Sequence, residues 1–100
     1  MSTSKTEAWD PVKYLESEAD MAAYLAAALE EDDPAVFVAA LGDVARAKGM
    51  TQIAREAGLG RESLYKALSA DGNPEFATVM KVVRSLGLRL HASAASSGTS

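Results

Sequence analysis

Arg61, Glu62, Ser63, Tyr65 and Lys66 lie within six residues and offer a mixed set of donors, acceptors and one aromatic ring. An arginine can give two parallel N–H bonds to O6 and N7 of guanine, and a glutamate can accept from N4 of cytosine. Tyr65 could meet a thymine methyl or a phosphate, and Lys66 could supply a point charge to a phosphate. Glu62 could instead orient Arg61, and Ser63 could do no more than support the start of a helix. Just upstream, Thr51 and Gln52 could bind phosphate through backbone amides and side chains, with Arg55 and Lys48 as further phosphate candidates. No nucleophile with a paired base, glycine-rich phosphate loop or metal-ligand cluster accompanies them. The chemistry on offer is recognition of a nucleic acid, and neither an enzyme nor a cofactor is expected. The plainer alternative is that these are ordinary polar residues on a solvated helix.

Such side chains need a rigid mount. In the stretch TQIAREAGLGRESLYKAL, Thr51 to Leu68, Leu64, Ala67 and Leu68 fall at i, i+3 and i+4. That spacing anchors one helix face inward and turns Arg61, Glu62, Tyr65, Lys66 and Ser69 outward. Ile53, Ala54 and Ala57 give a preceding helix its own buried face, with Thr51 as the expected N-cap. Gly58 suits a left-handed residue after that helix, Leu59 can plug the turn into the core, and Gly60 can open the next helix. Two short helices joined in this way form a helix-turn-helix, and the second fits a DNA major groove.

One hundred residues fit a single small domain. Apolar residues make up 48%, yet aromatic ones only 6%, and alanine is abundant. That balance favours closely packed helices over a sandwich or barrel. The absence of cysteine removes disulfides and thiolate metal sites. MSTSKTEAWD lacks a basic region followed by an apolar run, and no apolar stretch approaches bilayer length, so a cytoplasmic protein with no membrane partner is expected. The net charge of −4 is unevenly spread. Residues 1 to 45 hold two basic and ten acidic side chains, and residues 46 to 100 hold eight basic and four acidic, so the halves carry −8 and +4. Only the local patch meets phosphate, since exposed charges beyond a Debye length are largely screened. The acidic half suits a basic protein partner.

Along the chain, residues 1–8 read as a disordered N-terminus, 9–92 as one domain, and 93–100 as a flexible tail. Asp10-Pro11 could start one helical turn through Leu15, with Trp9 covering a core edge or binding a partner. Ser17 begins the first long helix in a capping-box-like Ser-Glu-Ala-Asp, with Met21, Tyr24, Leu25, Ala28 and Leu29 as its apolar stripe. Glu30 to Asp33 mark a boundary, and Asp33-Pro34 is an N-cap and N1 pair opening a helix to about Ala47. Phe37, Ala40, Leu41 and Val44 face inward there, and Gly49 is the expected stop. Asn73-Pro74 reads as a further N-cap and N1 pair. The helix after it would bury Phe76, Val79, Met80, Val83 and Leu86, and Gly87 would end it. Leu88 to Ala92 alternates, which makes it a candidate short strand in need of a partner. His91 has no second ligand or nucleophile beside it.

The segments DMAAYLAAAL, DPAVFVAALGDVARAKGMTQIAREAGL, RESLYKAL and GNPEFATVMKVVRSLGLRL, from Asp20 to Leu90, resemble the HigA-like antitoxins, or addiction-module antidote proteins, of the Xre helix-turn-helix class. Gly60 stands where that family commonly has serine. The resemblance implies an all-α, five-helix lambda-repressor-like helix-turn-helix domain. It also implies an antitoxin of a type II module that neutralises a small basic RelE/ParE-like (HigB-like) toxin and represses its own operon by binding operator DNA. A stand-alone Xre-type regulator without a toxin, and an interaction module that no longer binds DNA, remain open on the residues alone. One bihelix makes few base contacts, so a homodimer on a palindromic operator is expected. The first long helix, the N-terminal arm and the Leu88 to Ala92 stretch are its candidate surfaces.

Overall fold

A computed structural model of the chain describes Leu15 and residues 17–95. The expectations for residues 1–14 and 96–100, including the helical turn ahead of Leu15, lie outside these. Among the described residues there are five helices and no strand: α1 Glu18–Leu29, α2 Pro34–Lys48, α3 Met50–Ala57, α4 Arg61–Ala67 and α5 Phe76–Ser85. The all-α helix-turn-helix expectation therefore holds.

Local chemistry sets most of the boundaries. Ser17 Oγ accepts from the Asp20 amide at 3.1 Å, and Asp33 Oδ1 accepts from the Ala35 amide at 3.0 Å with Pro34 at the first helical position. Between them the acidic run makes a turn through Asp32 at φ 57°, a left-handed conformation that aspartate tolerates better than most residues. Gly49, the one residue between α2 and α3, caps both. At the end of α3, Gly58 has φ 73°, its amide donates to the Arg55 carbonyl, and the Leu59 amide donates to the Ala54 carbonyl at 2.8 Å. This paired closure needs a left-handed residue, which is why glycine stands there.

Two caps differ from expectation. Thr51 is not the N-cap of α3, because the helix begins at Met50 and Thr51 lies inside its first turn. Starting there buries Met50 in the core. Nor does Asn73-Pro74 open α5, whose N-cap is Glu75 without a side-chain bond. Gly72 lies hard against the end of α4, and the chain runs on through Pro74 before it can turn again. A Cβ added at Gly72 would fall on the Ala67 carbonyl group. Gly72→Ala is therefore expected to lower stability by about 1–3 kcal/mol, the usual cost of overpacking, and a urea titration checks this.

Packing centres on α3, which touches α2, α4 and α5, while α1 lies on α2. Leu41, Val44, Ile53, Leu64, Val82 and Leu86 are fully buried. The inward face of α5 is Val79, Val82, Val83 and Leu86, at i, i+3, i+4 and i+7. Phe76 and Met80 were expected on it and are instead exposed. Met80 is one residue off the stripe, and Phe76 lies in the first turn, beyond the reach of the core. Leu29 is likewise half exposed at the end of α1. The candidate strand at Leu88 to Ala92 is not formed. The Leu88 amide closes α5 by donating to the Val83 carbonyl, and Leu88 and Leu90 tuck against the core as an unpaired coil. With no neighbouring strand among the described residues, burying those two leucines against helices is the alternative left to it.

Candidate nucleic-acid interface

α4 is short, and its placement depends on two side chains. Leu64 is fully buried and Leu68 nearly so, with Ala67 half-buried between them. This fixes the helix phase and leaves Arg61, Glu62, Ser63, Tyr65 and Lys66 exposed, all on one helix. No side chain caps α4, since its N-cap is Gly60, and the Ser69 hydroxyl donates to the Lys66 carbonyl at its other end. The Arg61 guanidinium carbon stands 5.5 Å from the centre of the Tyr65 ring, one helical turn away. A cation over an aromatic face restrains both groups at modest energy, and it aims the arginine along the helix surface.

α3 packs against α4 and supplies the second set. Thr51, Gln52 and Arg55 are exposed, and Lys48, at the end of α2, is half-buried. Gln52 Nε2 donates to Glu56 Oε2 at 3.1 Å, which holds its amide on the helix surface. Among the described residues the one ion pair is Arg46 with Asp43, so Lys48, Arg55, Arg61 and Lys66 have no carboxylate of a described residue within 4 Å. Unpaired cations on an exposed surface are available to phosphates. Ser69 and Asn73 line the same shallow depression as Ser63 and Lys66. The outward position of Ser69 was readable from helical spacing, whereas that of Asn73 follows from where the loop after α4 turns back.

A different polar cluster escaped notice in the sequence. The Tyr24 hydroxyl donates to Asp43 Oδ2 at 2.6 Å, and Arg46 Nη2 donates to Asp43 Oδ1 at 2.6 Å. The i, i+3 spacing of Asp43 and Arg46 was a local sign of the ion pair, but Tyr24 comes from another helix. The bond to Asp43, aided by burial and by the aspartate's charge, pushes the Tyr24 hydroxyl up to about 12. The unfolded chain would release this proton near pH 10. Tyr24 therefore stabilises the fold fully below pH 10 and loses that contribution as pH rises toward 12. Urea midpoints measured across this range should fall in the wild type and flatten in Tyr24→Phe, which itself costs about 1 kcal/mol at neutral pH. The cluster clamps α1 to α2 and leaves Arg46 occupied, so Arg46 is not part of the free cationic surface.

The model of a family described as probable addiction module antidote protein matches residues 5–94. The chain belongs to the addiction module antidote family. A protein of Haemophilus influenzae strain Rd, described as uncharacterized, is 51% identical over 87 residues, which cover 87% of this chain and 90% of that protein. No solved structure matches. Membership of an antidote family points to an antitoxin role, and such a role implies a toxin partner. Among the described residues no helix is long and apolar enough to cross a membrane.

Proposed function

We propose that this antidote protein is the antitoxin of a type II module, with two tasks. It binds and neutralises a small basic RelE/ParE-like toxin in the cytoplasm. As a homodimer it also represses its own operon, each subunit laying α4 into the major groove of one operator half-site. It acts by binding alone and catalyses no reaction. The observation that carries the DNA reading is the exposed Arg61–Tyr65–Lys66 edge, held in phase by buried Leu64, whose two cations form no ion pair with a described residue. In this reading Arg61 reads guanine, Glu62 and Tyr65 contact or orient around neighbouring bases, and Ser63 supports the helix start. Thr51, Gln52, Arg55, Lys48 and Lys66 hold phosphates. The toxin reading is supported by family membership and by the concentration of acid in the first 45 residues.

The experiment searches the flanking DNA for a reading frame encoding a small basic protein and, where one is present, expresses the chain with it. Co-purification of the two, protection of a palindrome upstream by footprinting, and binding that weakens steeply with salt are the expected results. A chain that leaves its upstream DNA unprotected at low salt would end the repressor reading. Growth arrest by the neighbour that this chain does not relieve would end the antitoxin reading.

A further inference from the structure

Beside the α4 face, where α1 ends and α2 and α5 begin, lies an open apolar concavity of about 450 Å³. Leu29, Phe37, Val38, Phe76, Val79 and Leu90 line it. Phe76 is 67% exposed and Leu29 50%. A contiguous apolar surface of this kind on a small domain marks an interaction site. Leu90 is the ridge between this concavity and a second one, lined by Met80, Arg84 and Arg89. The two make one apolar strip with charged ends. Asp32 and Asp33 line one end, Arg84 and Arg89 the other, and none of the four forms an ion pair with a described residue. Beyond the Leu88–Val83 bond, no backbone hydrogen bond ties residues 89–95 to the rest of the described chain.

We propose that this strip is a two-fold interface and that its occupant is a second copy of this chain. The inference rests on the homodimer reading above and names its surface. In a two-fold contact the same patch serves both subunits, so residue i of one meets residue j of the other and the reverse. A strip acidic at one end and basic at the other is complementary to itself under that operation. Asp32 and Asp33 of each copy face Arg84 and Arg89 of its partner, while Phe76, Leu29 and Leu90 bury against their counterparts. The free backbone after Leu88 then has an antiparallel mate. A basic protein would suit the aspartates and be repelled at the arginines, and an acidic one would meet the reverse problem. Asn73 and Pro74 line both this strip and the depression beside Lys66, so the strip adjoins the α4 face.

The test is sedimentation equilibrium on the full chain with Phe76→Glu. Phe76 is outside the core and a carboxylate is welcome in the first turn of a helix, so the circular dichroism melt should be retained. The dimer dissociation constant is expected to rise at least about 30-fold, the effect of removing an interface anchor. Since the chain has no cysteine, Phe76→Cys adds a single thiol, which should cross-link two copies on mild oxidation, whereas Gln52→Cys should not. A wild-type dimer whose dissociation constant Phe76→Glu leaves unchanged would overturn this interface alone. A wild-type monomer at tens of micromolar would overturn both the interface and the homodimer reading. Phe76→Glu that abolishes binding of the neighbouring basic protein while the dimer persists would assign the strip to that partner and overturn the proposal. Lys66→Ala separates the DNA reading, since it should weaken operator binding and leave the dimer constant unchanged.

Discussion

Leu64→Ala is expected to cost about 2–5 kcal/mol, a large part of the 5–15 kcal/mol that holds a domain of this size together. Leu64 is fully buried, one turn from Leu68 and packed in the cluster that also holds Ile53 and Leu86. Truncation removes its buried methyl groups and leaves a void, because α4 is tied at one end by the Gly58 turn and at the other by Gly72 against Ala67. A thermal melt followed at 222 nm should show the midpoint fall by more than about 10 °C, given several degrees per kcal/mol for a domain of this length. Operator affinity should fall as well at temperatures where the variant is still folded, since Leu64 sets the phase of the helix that carries Arg61 and Lys66. A midpoint within two or three degrees of wild type would mean that α4 is not anchored as described.

The second large effect concerns binding. Arg61→Ala should weaken the specific operator complex by about 1–3 kcal/mol, or roughly 10- to 100-fold, and should relax selectivity at one base pair per half-site. In a dimer that loss occurs twice, so the measured change lies at the upper end. Lys66→Ala should behave differently, weakening all sequences about equally and reducing the slope of log affinity against log salt by about one per subunit. Lys81→Ala, on the exposed side of α5, is the control and should do neither. Electrophoretic mobility or anisotropy titrations against the operator and a scrambled duplex, each at three salt concentrations, separate these patterns. Equal losses for Arg61→Ala on both duplexes would make Arg61 a phosphate contact, and no loss would remove it from the interface.

Much of this architecture was legible because it is written in short-range chemistry. Asp33-Pro34, Gly58 and Gly87 act within one turn of where they stand, and each ends or opens a helix as its type requires. The outward set on α4 was readable for the same reason, since Leu64 and Leu68 define the opposite face over a single turn. Thr51 and Asn73 misled because a capping residue competes with burial and with the path of the chain. Met50 gains more by entering the core one residue early, and Gly72 carries the chain along α4 before α5 can begin. Phe76 has the right periodicity for the core and yet lies outside it, because a helical repeat says which face a residue shares and not where the covering elements stop. The Tyr24–Asp43 bond joins residues nineteen apart in the chain, and no local pattern announces it.

Gly49, alone between α2 and α3 with φ 117°, leaves the chain no slack at that corner. Adding or deleting one residue there would swing everything downstream by about 100° around the helix axis and carry Ile53 out of its socket. Length variation among relatives thus has little room at this joint and more in the exposed bend from Ser69 to Asp71. The corner works as a fixed elbow, and the angle between the acidic forearm and the helices beyond it is set once, when the core closes.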